Sequence, residues 1–480
     1  MELRRIDDFL WEVPIGYVDG MRVPGRIFGT ESLISKAVED RAVEQVANVA
    51  TLPGIVTASF AMPDIHWGYG FPIGGVAATD ATSGGAVSPG GVGFDIGCGV
   101  RLIRSDLTWE ETQPRIRDLV NMLSRRVPRG VGGKGRMQLD NDGLEKTLKH
   151  GVAYPLSQGV GWEEDAELCE DSGALPNAVP ALVSERARER GASQLGSLGG
   201  GNHFLEVQVV DEIRDRIAGD AMRLSEGQVV VMIHSGSRGI GHQTCQDYVR
   251  TLDRVAGELK IDVPDRQLAC APIEHKIAQD YLGAMDAAGN FARANRHVLA
   301  DAARESFAGT FGRGSRDLGM HLVYDISHNL AKIEEHTVDG KQRSVCVHRK
   351  GATPAFAPGH PAVPDLYKDI GQPVIIPGSM GTASFVLVGA EGAAVKSFAS
   401  TCHGAGRAMS RGQAKKQMSG QDVKRDLQDQ GIIVSAGKAK LLSEEAPYAY
   451  KDVSQVVEAC EGAGLTKVVA RLRPVGVVKG

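Results

Sequence analysis

Short apolar runs rich in β-branched residues recur along the chain, each bounded by glycine turns. They are FLEVQVV (204–210), QVVVMIH (228–234), SVCVH (344–348), PVIIPG (373–378) and SFVLVG (384–389). Continuous runs of this length predict buried strands. Between residues 244 and 308 the spacing turns helical: in YLGAMDAAGNFARANRHVLADAARESF, residues Met285, Phe291, Ala294, Val298, Ala302 and Phe307 follow one helical face. YDISHNLAKIEEH (324–336) also has a helical look, whereas GWEEDAELCEDSGALPNAVP (161–180) is acidic and Pro-bearing, predicting a surface excursion. No internal repeat or low-complexity linker divides the chain. The pattern predicts a mixed α/β (α+β) fold, a sheet-rich core flanked by helices with a helical insertion.

Composition narrows the class. The 480 residues are 42% hydrophobic and 24% charged, enough for a large core in one big domain or two to three smaller ones. Sixty glycines, without a collagen period, cluster in short motifs that mark functional turns. MELRRIDDFLWEV lacks the apolar core of a signal peptide, and no apolar run approaches the ~18 residues of a membrane helix. Seven scattered cysteines argue for a reducing interior, so a cytoplasmic location is expected. The net charge of −5 offers no global attraction to nucleic acid. Two local runs are basic, SRRVPRGVGGKGR (124–136) and GRAMSRGQAKK (406–416). Alone each is a solvated surface, yet a site that grips phosphates needs such patches.

Candidate chemistry gathers where the strands end. GVGFDIGCGVR (91–101) carries Asp95 and Cys98, and GSLGGGNHF (196–204) carries Asn202 and His203. HSGSRGIG (234–241) holds His234 and Arg238, SHNLA (327–331) holds His328, and HGAGRAMSR (403–411) holds His403. Turns let ligating side chains converge, but no CxxC or HExxH spacing brings these together locally. For most of the 13 histidines, including His150, His297, His321, His336 and His360, an ordinary structural role is expected. The turn after QVVVMIH lacks G-x-G-x-x-G and no tyrosine is followed by lysine four residues on, so a nicotinamide enzyme is disfavoured. A binuclear metal-dependent phosphodiesterase without a nucleotide cofactor fits the ligand inventory. A non-catalytic RNA-binding protein would use the basic turns without the ligands.

Nine blocks taken in order resemble the RtcB-type RNA ligases: MPDIHWGYGFPIGG (62–75), GVGFDIGCGVR, LGGGNHFLEV, HSGSRGIG, SHNLA, HRKGATPA (348–355), PGSMGTASFVL (377–387), HGAGRAMSR and the final KG. The resemblance implies one catalytic domain over residues 1–480, with a helix-rich insertion at roughly 244–320. It implies a GTP- and Mn²⁺-dependent ligase joining 2′,3′-cyclic phosphate or 3′-phosphate RNA ends to 5′-hydroxyl ends, in tRNA splicing or RNA repair. The route runs through a guanylylated histidine and an RNA-(3′)pp(5′)G intermediate. Two Mn²⁺ ions would share Cys98, with His234 and His328 completing one site and Asp95 and His203 the other. His403 would be the nucleophile. The guanylate would meet Asn202, His203, Phe204, Leu205, Glu206, His328, Asn329, Pro377, Gly378, Ser379, Met380, Ser384, Gly404, Ala405, Gly406, Tyr450 and Lys479. Arg238, Lys350, Arg407 and Arg411 would grip RNA phosphates, with Asp64 near the reacting ends. A monomer working with RNA, no membrane and an archease-type activator are compatible with it. Ligand softness alone points instead to zinc, since thiolate and imidazole favour it over manganese. An imidazole suits the carrier role, being nucleophilic when neutral and forming a high-energy phosphoramidate.

Overall fold

A computed structural model describes residues 2–130 and 132–480; Val131, inside the first basic run, lies outside the described residues. Two large sheets carry the fold. The first runs in the order Arg4–Arg5, Leu10–Val13, Gly25–Phe28, Ile55–His66, Ile73–Asp80, Lys341–Lys350 and Asn329–Val338. The second runs Leu322–Ser327, Gly99–Thr108, Gln228–Ser235, Phe204–Ile213, Thr466–Lys479, Ser384–Gly389 and Pro373–Ile376, with Ile433–Ala436 pairing parallel to Thr466–Lys479.

All five apolar runs lie in strands of these sheets, four of them in the second. Their apolar character is continuous because both faces of the second sheet are covered. Leu205, Val207, Val231 and Ile233 pack on one side with Leu119 and Phe307; Phe204, Val230 and Met232 pack on the other with Tyr324 and Val386.

The stretch expected to be helical around His328 is instead two strands, Leu322–Ser327 and Asn329–Val338, with His328 at the junction. The second of these pairs with Lys341–Lys350 from Asn329↔Lys350 to Val338↔Lys341. Asp339 and Gly340, both at positive φ (51° and 75°), close the hairpin. An Asp-Gly pair suits such a tight turn, and the ladder it starts overrides the helix propensity of Ala, Lys and Glu.

The stretch expected to be helical holds most of one helix, Arg238–Glu258, and the 36-residue helix Lys276–Phe311. The six residues expected on one face of the long helix are all fully buried, but so is much of the opposite face. Buried polar residues Asn290, Arg293, Asn295, Arg296 and Arg304 are set among the apolar ones, and the anions for Arg293 and Arg304 come from the acidic segment expected at the surface. Asp165 accepts from Arg304 Nη1 at 2.6 Å and Nη2 at 2.7 Å, and Arg293 meets Asp171 at 2.6 Å and Glu170 at 3.3 Å. Asp165, Glu170 and Asp171 thus turn inward to neutralise buried guanidiniums, which cannot shed their protons, while Glu163, Glu164 and Glu167 stay toward solvent. Among the described residues, no helix is long and apolar enough to cross a membrane.

Replacing Asp165 by Asn leaves Arg304 buried without its anion. Urea denaturation should show a loss of about 3–5 kcal/mol, against less than about 1 kcal/mol for Glu164→Gln at the exposed Arg316 pair.

Candidate active site

Four adjacent strands of the second sheet end at one place. The registers Ser327↔Gly99, Val100↔His234 and Phe204↔His234 bring Cys98, His203, His234 and His328 level with one another. Cys98 Sγ lies 3.4 Å from His203 Nε2 and 3.3 Å from His234 Nε2. His234 Nε2 is 3.3 Å from His328 Nε2, and His203 Nε2 is 2.8 Å from Asp95 Oδ2. Two triads result, Cys98–His234–His328 and Asp95–Cys98–His203, each with its donor atoms within 4.8 Å of one another. Cys98 belongs to both.

The donor set fits a pair of divalent cations. Nitrogen and sulfur atoms crowding to 3.3–3.4 Å match the edges of a coordination shell with bonds of about 2.0–2.3 Å. Burial holds His234 and His328 far below the ordinary imidazole value, so both are neutral ligands. Burial opposes ionisation of Asp95, yet His203 and Arg238 keep its carboxyl well below the usual range. Burial, with Asp95 close by, pushes the Cys98 thiol well up. A cation between them would reverse that cost and release the thiol proton.

The loops that bear these ligands are tied from behind by the long helix. Arg296 Nη1 donates to Gly97 O at 2.7 Å and to Ser235 O at 3.0 Å, and its Nη2 donates to Asp325 Oδ1 at 2.7 Å. One guanidinium therefore touches the loops preceding Cys98, following His234 and preceding His328. Its neighbour Asn295 donates to Ser197 O at 3.0 Å and to Gly236 O at 3.1 Å, reaching the turn that leads to His203. The close approach demands glycine at two points. A Cβ on Gly236 would sit 2.3 Å from Asp95 Oδ1, and Gly97 adopts φ +69° against the helix, where a Cβ would meet Gly289 Cα at 2.9 Å.

His403 stands beside this cluster, its ring centroid 4.8 Å from that of His328. Its Nδ1 meets Asp64 Oδ2 at 2.6 Å, and the same oxygen accepts from the backbone N–H of His403 at 3.0 Å. Burial works against ionisation of Asp64, but these contacts hold its carboxyl below its ordinary value. Nδ1 therefore carries the proton and Nε2 the lone pair. Asp64 is fully buried, so its carboxylate orients the imidazole rather than reaching an RNA end. Lys451 steadies the strand behind it through Pro63 O at 3.3 Å and Ile65 O.

A cavity of about 680 Å³ joins these parts. Asp95, Cys98, Asn202, Phe204, His234, His328, Asn329, Lys350, Pro377, Gly378, Ser379, Met380, His403, Gly404, Ala405, Gly406, Arg407, Arg411, Tyr450 and Lys479 line it. His203, Leu205, Glu206, Ser384 and Arg238 do not. Strand alternation turns Leu205 into the apolar core. Ser384 accepts from Gln208 Nε2 at 2.9 Å and Gly378 N at 3.1 Å, so its hydroxyl ties the cavity wall. Asn329 bridges Asp95 O at 3.0 Å and Gly351 N at 2.8 Å, which occupies both ends of its amide.

The basic residues are also partly committed. Arg238 donates to Ser197 Oγ at 3.3 Å, and Lys350 Nζ donates to Tyr69 O and to Phe71 O at 3.1 Å. Burial brings the Lys350 ammonium down to about 7. Arg407 and Arg411 converge on Glu445 at 3.1 and 2.7 Å, with the Tyr450 hydroxyl donating to the same carboxylate. Glu445, Lys451, His66, Trp67, Tyr69 and Arg296 were not legible from the motifs. Only Trp67 and Tyr69 carried a signal, two aromatics among glycines directly after Asp64.

Residues 45–480 match the family described as tRNA-splicing ligase RtcB. The chain is similar to the "tRNA-splicing ligase RtcB" of Archaeoglobus fulgidus, 52% identical over 478 residues, which is 100% of this chain and 99% of the relative. The relative so named from Thermococcus kodakarensis is likewise 52% identical over 478 residues, 100% of this chain and 99% of the relative. The "RNA-splicing ligase RtcB" of Mycobacterium tuberculosis is 53% identical over 438 residues, 91% of this chain and 100% of the relative.

Arg296→Met should loosen three ligand loops at once while Arg101 still neutralises Asp325 at 2.7 Å. Titration calorimetry should show divalent-cation affinity falling roughly 10–100-fold. Unchanged affinity would mean the loops hold their geometry without it.

Proposed function

The chain belongs to the RtcB family of tRNA-splicing ligases and is an RNA ligase, and from that premise we propose that it joins 2′,3′-cyclic phosphate or 3′-phosphate ends to 5′-hydroxyl ends with GTP and Mn²⁺. It does so as a single cytoplasmic catalytic domain, acting as a monomer, with an archease-type activator compatible with the site. The observation that carries this reading is His403, fixed through Nδ1 by Asp64 and set against a two-triad donor cluster in one cavity.

With its Nδ1 proton held by a buried carboxylate, the imidazole presents Nε2 as a nucleophile of fixed direction. Cations held by Asp95, Cys98, His203, His234 and His328 would supply charge neutralisation at the phosphates beside that nitrogen. Attack by Nε2 on the α-phosphate forms a P–N bond and releases pyrophosphate. Water opens a 2′,3′-cyclic phosphate end to the 3′-phosphate; a 3′-phosphate oxygen then takes GMP from His403 as the P–N bond breaks, and the 5′-hydroxyl finally attacks the 3′-phosphorus and displaces GMP to make the new phosphodiester.

Glu206, which does not line the cavity but shares with Phe204 one face of the strand just behind its wall, is the acceptor we assign to guanine. One carboxylate oxygen, Oε1, is buried without a partner, and burial raises the group to about 7. Guanine offers two N–H donors on the edge where adenine offers an acceptor. Phe204, with Lys479 Nζ 5.6 Å from its ring centroid, and Tyr450 provide the apolar walls.

Incubation with α-labelled GTP and Mn²⁺, followed by a denaturing gel, tests the reading. Label should be retained on the wild type, be absent from His403→Ala, and not form with α-labelled ATP. An unlabelled wild type would refute the covalent route. Asp64→Asn, which presents an amide where Nδ1–H needs an anion, should slow labelling by roughly 10²–10⁴-fold. Cys98→Ala removes a ligand common to both triads and should abolish labelling.

A further inference from the structure

The sequence IHWGYG (65–70), directly after Asp64, places aromatic side chains at the rim of the cavity. Trp67 is 45% exposed, in a chain with only four tryptophans. Trp67, Tyr69 and Phe94 all line the cavity. Tyr69 meets Phe94 edge-on with centroids 5.1 Å apart, and Phe94 stacks on His242 at 5.2 Å. The indole stands out not by exposure alone but by standing with Tyr69 and Phe94 at the mouth of the cavity that holds His403.

The loop that presents these rings is pinned. Asp40 accepts from Trp67 N–H, and Gln45 bonds both the N–H and the C=O of Gly68 at 2.8 Å. Gln267 Oε1 accepts from Gly70 N–H at 2.9 Å, and Lys350 holds the carbonyls of Tyr69 and Phe71. Four side chains from distant parts of the chain thus fix a short surface loop. A ring held in place gains more from stacking than a mobile one, because its ordering entropy is already spent.

Basic side chains stand near both rings, Arg41 paired with Glu44 at 2.7 Å and Lys350 brought near neutrality by burial. Arg41 Cζ lies 6.0 Å from the Trp67 centroid and Lys350 Nζ 6.0 Å from the Tyr69 centroid. Flat rings with the Arg41 guanidinium alongside offer what a single-stranded nucleic acid needs, base faces on aromatics and a cation near the phosphates. The second aromatic group, Phe204 and Tyr450 with Lys479, is absent from this contact chain and is assigned above to the nucleotide.

We propose that Trp67 and Tyr69 form a preorganised stacking platform for the unpaired nucleobases next to the RNA ends being joined. This rests on the ligase reading, because an end must reach His403 through the cavity these rings border. Stacking distinguishes no base strongly, since every base has a π-face. The platform therefore selects single-stranded ends over blunt duplex ends rather than a sequence.

Fluorescence anisotropy tests it on the full chain at one fixed salt concentration. The probes are decamer oligoribonucleotides, labelled at the far end, bearing either a 3′-phosphate or a 5′-hydroxyl at the near end. Each is made with its two near-end nucleotides intact or abasic. The wild type should bind at least one intact probe about ten-fold more tightly than its abasic partner. Trp67→Ala and Tyr69→Ala should lose that preference while keeping the abasic affinity, and Trp67→Phe should retain most of it. Equal binding of intact and abasic probes by the wild type overturns the proposal. So does a preference that survives both alanine variants; the rim would then be a docking surface for a protein partner. The measurement needs no turnover. A preference that behaves as expected in a chain that takes no label from GTP would refute the ligation route and leave the platform standing.

Discussion

The guanidinium of Arg296 donates to Gly97 O, Ser235 O and Asp325 from the interior of a buried helix, and with Asn295 beside it, which holds the turn before His203, every ligand-bearing segment of the histidine cluster is tied to that helix. Three segments that lie 90 residues or more apart in the chain must agree to within fractions of an ångström if five donor atoms are to share two cations. Sheet register brings the strands level, but register fixes backbones only to the end of the ladder. Beyond it, Arg296 and Asn295 continue the alignment with hydrogen bonds to carbonyls that would otherwise be buried and unpaired. The helix can place two such residues side by side because it is covered on all sides, which explains its unusual burial.

That arrangement has a cost, met by the acidic segment 161–173. A helix bearing Arg293, Arg296 and Arg304 in the interior is tolerable only with anions at hand. Asp165, Glu170, Asp171 and Asp325 supply them. Glu170 extends the chain of contacts, accepting from Ser327 N at 3.0 Å and Lys332 Nζ at 2.6 Å, directly beside His328. The charge compensation of the core and the placement of the ligands are one network.

This coupling explains what the sequence disclosed and what it hid. Strands such as Gln228–Ser235 were legible because burial on both faces writes a continuous apolar run. Motif residues at their ends were legible as candidates, since glycine-rich turns mark where side chains can gather. Their convergence was not, because it depends on strand order, which no local pattern encodes. The acidic run 161–180 misled for a related reason: a carboxylate paired inside a core looks the same in sequence as one in water. The junction at His328 misled through composition, since Ala, Lys and Glu favour a helix until a hairpin turn at Asp339–Gly340 commits them to a ladder.

The basic residues of the cavity show how the burden of charge is divided. Glu445, 2% exposed, already draws in Arg407, Arg411 and the Tyr450 hydroxyl. Lys350 spends hydrogen bonds on the aromatic loop, and burial brings it near neutrality at pH 7. Arg238 braces the Ser197 turn and faces Asp95 across the helix start. Side chains so committed are preorganised but not free, and their net positive charge is small. A polyanionic substrate brought to His403 therefore needs a further source of positive charge, and the buried Cys98 thiol and neutral His234 and His328 are built to hold one. On the proposed reading the protein keeps its own cations for shape and would leave phosphate neutralisation to ions held by the donor cluster that the same network aligns.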